Sequence, residues 1–125
     1  MIKYNVDYDN KSVTAYFEGG RKYWNNCLSK MVYNIILDFD FDPISFYKVI
    51  PKIVANYPLG ATVKCHPNDT FDVEIGKQLA KEKLNKRFNK CKIRVLKTLT
   101  DYSIKEFTQL NNRIIQKMRK GVKSK

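Results

Sequence analysis

Residues 65–84 read CHPNDTFDVEIGKQLAKEKL, and their reading decides what the second half of the chain becomes. Just before them, Val63 and Cys65 alternate with Thr62 and Lys64, so ATVKCHP (61–67) reads as a short strand running into a turn. Pro67 ends the strand, and Asn68-Asp69 are turn formers. Asp72 stands directly before a periodic run and reads as an N-cap. Ala80, Leu84, Phe88, Cys91 and Val95 then recur at helical spacing, flanked by Val73 and Leu79, and predict one buried stripe. Gly76, in the first turn, predicts a close approach of a neighbouring strand or hairpin. Asp69, Asp72 and Glu74 suit the positive end of the helix dipole.

The stretch also holds groups that do chemistry. Cys65 and the lone histidine, His66, are sequence neighbours, and a Cys–His nucleophile needs the two side chains to meet. Neighbours on an extended strand point to opposite faces, so turn and cap outweigh an active site here. A zinc centre needs three or four ligands, and one histidine with Cys27, Cys65 and Cys91 widely spaced does not present them. No cofactor is expected.

Working toward the N-terminus, IKYNVDY and SVTAYF flank Asp9-Asn10-Lys11 and predict a hairpin over 2–17, broken by Gly19-Gly20. Trp24, Leu28, Met31 and Ile35 predict a helix over 24–37, with an extended tail at 38–42. In that tail Asp38, Asp40 and Asp42 line one face, a row able to hold Mg²⁺ for phosphoryl chemistry, or else the wet face of an edge strand. Asp42-Pro43 signals a helix start, running toward Tyr57, with Pro51 expected to kink or end it. Toward the C-terminus, the apolar period persists to about Leu99. Ser103-x-x-Glu106 then forms a capping box, with Tyr102 and Phe107 as its hydrophobic staple. A second helix is expected there, burying Ile104, Phe107, Leu110/Asn111, Ile114/Ile115 and Met118, with a frayed basic tail at 121–125. The fold class is α+β: an N-terminal hairpin and a short third strand packed with helices, then two basic C-terminal helices, in one domain over 1–120.

Charge points to the partner. The 125 residues carry a net +12, yet residues 1–76 hold 8 basic and 9 acidic side chains against 16 and 3 in residues 77–125. Such a half repels itself unless a polyanion offsets it. The expected contacts are Lys77, Lys81, Lys83, Lys86, Arg87, Lys90, Arg94, Lys97, Arg113, Lys117 and Arg119, gathered on one outward face. Tyr23 and Trp24, beside Arg21 and Lys22, are the candidates for stacking on unpaired bases. No apolar run reaches the ~18–20 residues a membrane span needs, and MIKYNVDYDNK lacks the apolar core of a secretory signal. With free cysteines expected, this reads as a cytoplasmic protein without a membrane partner.

Cys65, Pro67, Asp69, Phe71, Asp72, Gly76, Leu79 and Ala80 form the pattern C-x-P-x-D-x-F-D-x-x-x-G-x-x-L-A. It resembles a short module of small proteins from phages and prophages of low-GC Gram-positive bacteria. The resemblance covers about one sixth of the chain. It implies a non-enzymatic binding protein made in an infected host, with inhibition of a defence system such as a CRISPR effector with its guide RNA as one role. The residues leave two alternatives open: a Mg²⁺-dependent nuclease built on Asp38, Asp40 and Asp42, and a sequence-tolerant DNA- or RNA-binding protein of phage replication or regulation.

Overall fold

The computed structural model describes residues 1–39 and 47–123. The chain is α+β, as its sequence predicts. A meander of three antiparallel strands, β1 (Ile2–Asp7), β2 (Ser12–Phe17) and β3 (Gly60–Lys64), lies in the order β1-β2-β3. The helices are α1 (Gly20–Phe39), α2 (Ile50–Ala55) and α3 (Val73–Lys123). The residues form two compact units, Met1–Val95 and Leu96–Lys125.

In the hairpin, Ile2 pairs with Phe17 and Asp7 with Ser12. Its turn is held by the Asp7 carboxylate, which accepts from the backbone N–H of Asn10 at 3.1 Å and from its side-chain amide at 2.7 Å. Those two bonds hold the Asp7 carboxyl below its usual range. Gly19 and Gly20 carry φ of 89° and 51°, a left-handed pair that turns the chain from β2 into α1. The central strand β2 supplies Val13, Ala15 and Phe17 to the core. Trp24, Leu28 and Val32 of α1 and Ile50, Ile53 and Val54 of α2 join them. From α3 come Ala80, Leu84, Phe88, Cys91 and Val95, the stripe read from the sequence, all buried. An aromatic cluster centres on Phe88, 5.2 Å from Phe17 and 4.9 Å from Trp24 between ring centroids.

Four expectations are corrected. The backbone is helical through Phe39, so Asp38 and Phe39 continue α1 and do not begin an extended tail. The chain turns at Lys48-Val49 before α2, and Pro51 stands in the first turn of α2, where its missing N–H costs nothing. Pro43 lies outside the described residues. The two C-terminal helices are one, with a helical backbone that runs to Lys123. Ser103 is therefore not a cap: its hydroxyl donates to the Leu99 carbonyl at 2.8 Å, one turn back, as Thr100 does to Leu96 at 2.9 Å. Glu106 accepts from the Tyr102 hydroxyl at 2.7 Å. Finally, the face Ile104–Met118 is exposed, not buried.

Candidate nucleic-acid interface

The start of α3 is built as its sequence reads. Asp72 Oδ1 accepts from the N–H groups of Glu74 and Ile75 at 3.0 and 3.3 Å, satisfying two of the helix's free donors. Gly76 lies against β2 so closely that a Cβ there would stand 2.7 Å from Val13 Cγ2. This contact seats α3 on the sheet. Two cations then fasten it to the outer edge of β3. The Lys83 ammonium donates to the Thr62 carbonyl at 2.8 Å, and the Arg87 guanidinium donates to the Gly60 carbonyl. No local sequence pattern announces this latch, because it joins residues 21 and 27 positions apart.

The eleven cations expected to act together are divided. Lys83, Lys86, Lys90 and Arg94 are exposed and follow one another by three, four and four residues. At about 100° per residue they occupy one flank of α3, within about 80° of its circumference. Among the described residues, Lys86 and Lys90 have no carboxylate at ion-pair distance. Arg87 is half-buried and committed to the latch. Lys77 is half-buried, 5.6 Å from the Tyr4 ring centroid and 3.8 Å from Glu74. Helical spacing puts it in line with the buried stripe, at the foot of α3, and puts exposed Lys81 on the other flank. Lys92, which joins that flank, has its ammonium 4.7 Å from the Phe88 ring centroid. Lys97, Arg113, Lys117 and Arg119 belong to the Leu96–Lys125 unit, where all four are exposed.

The stacking candidates are used inside the fold. Trp24 is fully buried against Phe88, and Tyr23 stacks on Phe17 at 4.7 Å. A hydrogen bond with Cys27 and burial raise the Tyr23 hydroxyl's pKa. Trp24 therefore offers no face to a base, and one face of the half-buried Tyr23 ring is taken by Phe17. Asp40 and Asp42 lie outside the described residues, and so does the side chain of Asp38.

The CHPND stretch borders a cavity of about 290 Å³, lined in part by Val63, Cys65, Phe71, Ile75 and Leu79. The Cys65 thiol is directed at the carbonyls of His66, Asp69 and Thr70, at 3.5, 3.7 and 3.8 Å. His66 Nδ1 accepts from the Asn68 N–H at 3.3 Å. Both side chains bond within the loop that they begin. Among the described residues no helix is long and apolar enough to cross a membrane. Comparison of the chain with protein families, curated proteins and solved structures finds no match.

Proposed function

We propose that this protein binds nucleic acid through its phosphate backbone, using the flank of α3 that carries Lys83, Lys86, Lys90 and Arg94. The observation that carries this reading is the row itself: exposed cations one helical turn apart, on a helix anchored to a sheet. Successive positions on such a row stand about 5–6 Å apart between Cβ atoms, comparable to the step between phosphates along one strand. From Lys83 to Arg94 the row extends about 16 Å, enough to run beside a few consecutive phosphates. Anchoring matters, because side chains on a rigid helix lose less freedom on binding than side chains on a loop. Phosphate contacts position a protein without reading sequence, so binding is sequence-tolerant.

The partner is free DNA or RNA, or a nucleoprotein that leaves its strand exposed. A CRISPR effector with its guide RNA is the instance that the phage-like module brings into view. The test is fluorescence anisotropy with several unrelated DNA and RNA oligonucleotides, comparing the native chain with a Lys86→Gln, Lys90→Gln variant. Both residues are exposed, so the fold is expected to keep its stability. Affinity falls for every sequence if the row binds phosphate; an unchanged affinity in the variant rejects the row as the interface.

A further inference from the structure

The Leu96–Lys125 unit carries an apolar face of its own. Ile104, Phe107, Leu110, Ile114, Ile115 and Met118 are between 38% and 71% exposed. At about 100° per residue they share an arc of about 140° on one side of α3. Large apolar side chains grouped this way on a helix mark a contact surface for another macromolecule.

Three features say which. Asn111 falls inside the arc, the one polar interruption at its middle. Around it four of the six apolar residues are disposed evenly: Phe107 and Ile115 each lie four positions away, Ile104 and Met118 each seven, while Leu110 and Ile114 have polar residues, Asn112 and Thr108, at their mirror positions. Charge is disposed unevenly. Asp101, Lys105 and Glu106 stand toward the N-terminal end, a net of −1, and Arg113, Lys117, Arg119 and Lys120 toward the C-terminal end, a net of +4. A face whose outer apolar positions are symmetric and whose two ends carry net charges of opposite sign is complementary to itself when turned around.

We propose that this face pairs with the same face of a second copy of the chain, antiparallel, with Asn111 on the two-fold axis. Each contact is then made twice, as a closed two-fold pair requires. Ile104 meets Met118 of the partner subunit, and Phe107 meets Ile115 of the partner subunit. The two Asn111 amides meet each other and hydrogen-bond, so any slip in register leaves a polar group against an apolar one. Asp101 and Glu106 of each copy come alongside the cationic end of the other. A parallel pair would instead set four cations against four cations, at a cost in repulsion.

The test is sedimentation velocity of the full chain, freed of nucleic acid by nuclease and high salt, over the micromolar range. A reversible monomer–dimer equilibrium is expected. A Phe107→Glu, Ile115→Glu variant, with helicity checked by circular dichroism, is expected to raise the dimer dissociation constant by about tenfold or more. Orientation is read by mild oxidation. Ile104→Cys mixed with Met118→Cys is expected to crosslink, as is Asn111→Cys with itself, above the background set by the wild-type cysteines. The proposal is overturned by a wild-type chain that stays monomeric throughout, whether or not it binds anionic vesicles or an acidic protein by this face. It is also overturned by a dimer that persists in the double glutamate variant, or by Ile104→Cys crosslinking to itself as readily as to Met118→Cys.

Discussion

Replacing Gly76 with alanine tests how α3 is seated on the sheet. The added Cβ would stand 2.7 Å from Val13 Cγ2 and 3.5 Å from Val13 Cβ. Carbon atoms pack comfortably at about 3.5–4.0 Å, so the first contact is about an ångström too short. Val13 is fully buried in the central strand, paired with Val6 on one side and Val63 on the other. Its branched side chain has little χ1 freedom with which to move aside. Overpacking of this kind costs about 1–3 kcal/mol. Alanine returns up to about 1 kcal/mol through its better helix propensity. The expected net result is a loss of about 1–2 kcal/mol, read as a lower midpoint in urea at unchanged slope. Gly121 supplies the control, because a Cβ there meets nothing within 4 Å, so its alanine variant loses nothing. Val13→Ala in the Gly76→Ala background opens the space again, so the two effects are less than additive. A Gly76→Ala chain as stable as the native one, or strict additivity with Val13→Ala, would refute the close seating.

The latch on β3 separates two cations adjacent in sequence. Arg87→Ala is expected to cost about 1–3 kcal/mol in denaturation, the range for a hydrogen bond from a charged group. Lys86→Ala, on the exposed flank, stays within about 0.5 kcal/mol; equal losses at both positions would reject the latch. Cys91 reports on the buried stripe. Burial pushes its thiol up from 9.0 to about 11. Between those values the unfolded chain releases the proton and the folded chain retains it, so this group lowers stability as pH rises through the window. Cys91→Val is expected to flatten that part of a denaturation–pH profile, and alkylation of native protein at neutral pH is expected to spare Cys91 until the chain unfolds.

Local signals were the legible ones. The hairpin, the Asp72 cap, the Gly76 approach and the stripe from Ala80 to Val95 each depend on residues within a few positions of one another, and they stand where the sequence puts them. The joining of two expected helices into α3 shows the limit. Ser103-x-x-Glu106 is a capping pattern only where a helix begins. Within one, the serine hydroxyl bonds the carbonyl a turn back and the glutamate takes another partner. The contrary signal was present, since no glycine or proline interrupts residues 77–120. Periodicity placed Ile104–Met118 on one face but does not tell a face covered by its own chain from one left exposed. The tryptophan at 24 was misread because flanking cations say nothing about which way a ring turns; its packing on Phe88 decides that. Grouping eleven cations by charge alone missed that Lys83 and Arg87 bond to β3, that Lys77 lies in line with the buried stripe and that Lys81 occupies the other flank.

Salt dependence of nucleic-acid binding tests the central claim most directly. Four phosphate contacts from Lys83, Lys86, Lys90 and Arg94 predict a slope of about −3.6 for the logarithm of affinity against the logarithm of salt on duplex DNA, a fall of about 150-fold between 50 and 200 mM. Removing the charges of Lys86 and Lys90 should lower the steepness to about half. A native slope near zero, or the same slope in the variant, would contradict phosphate recognition by this row.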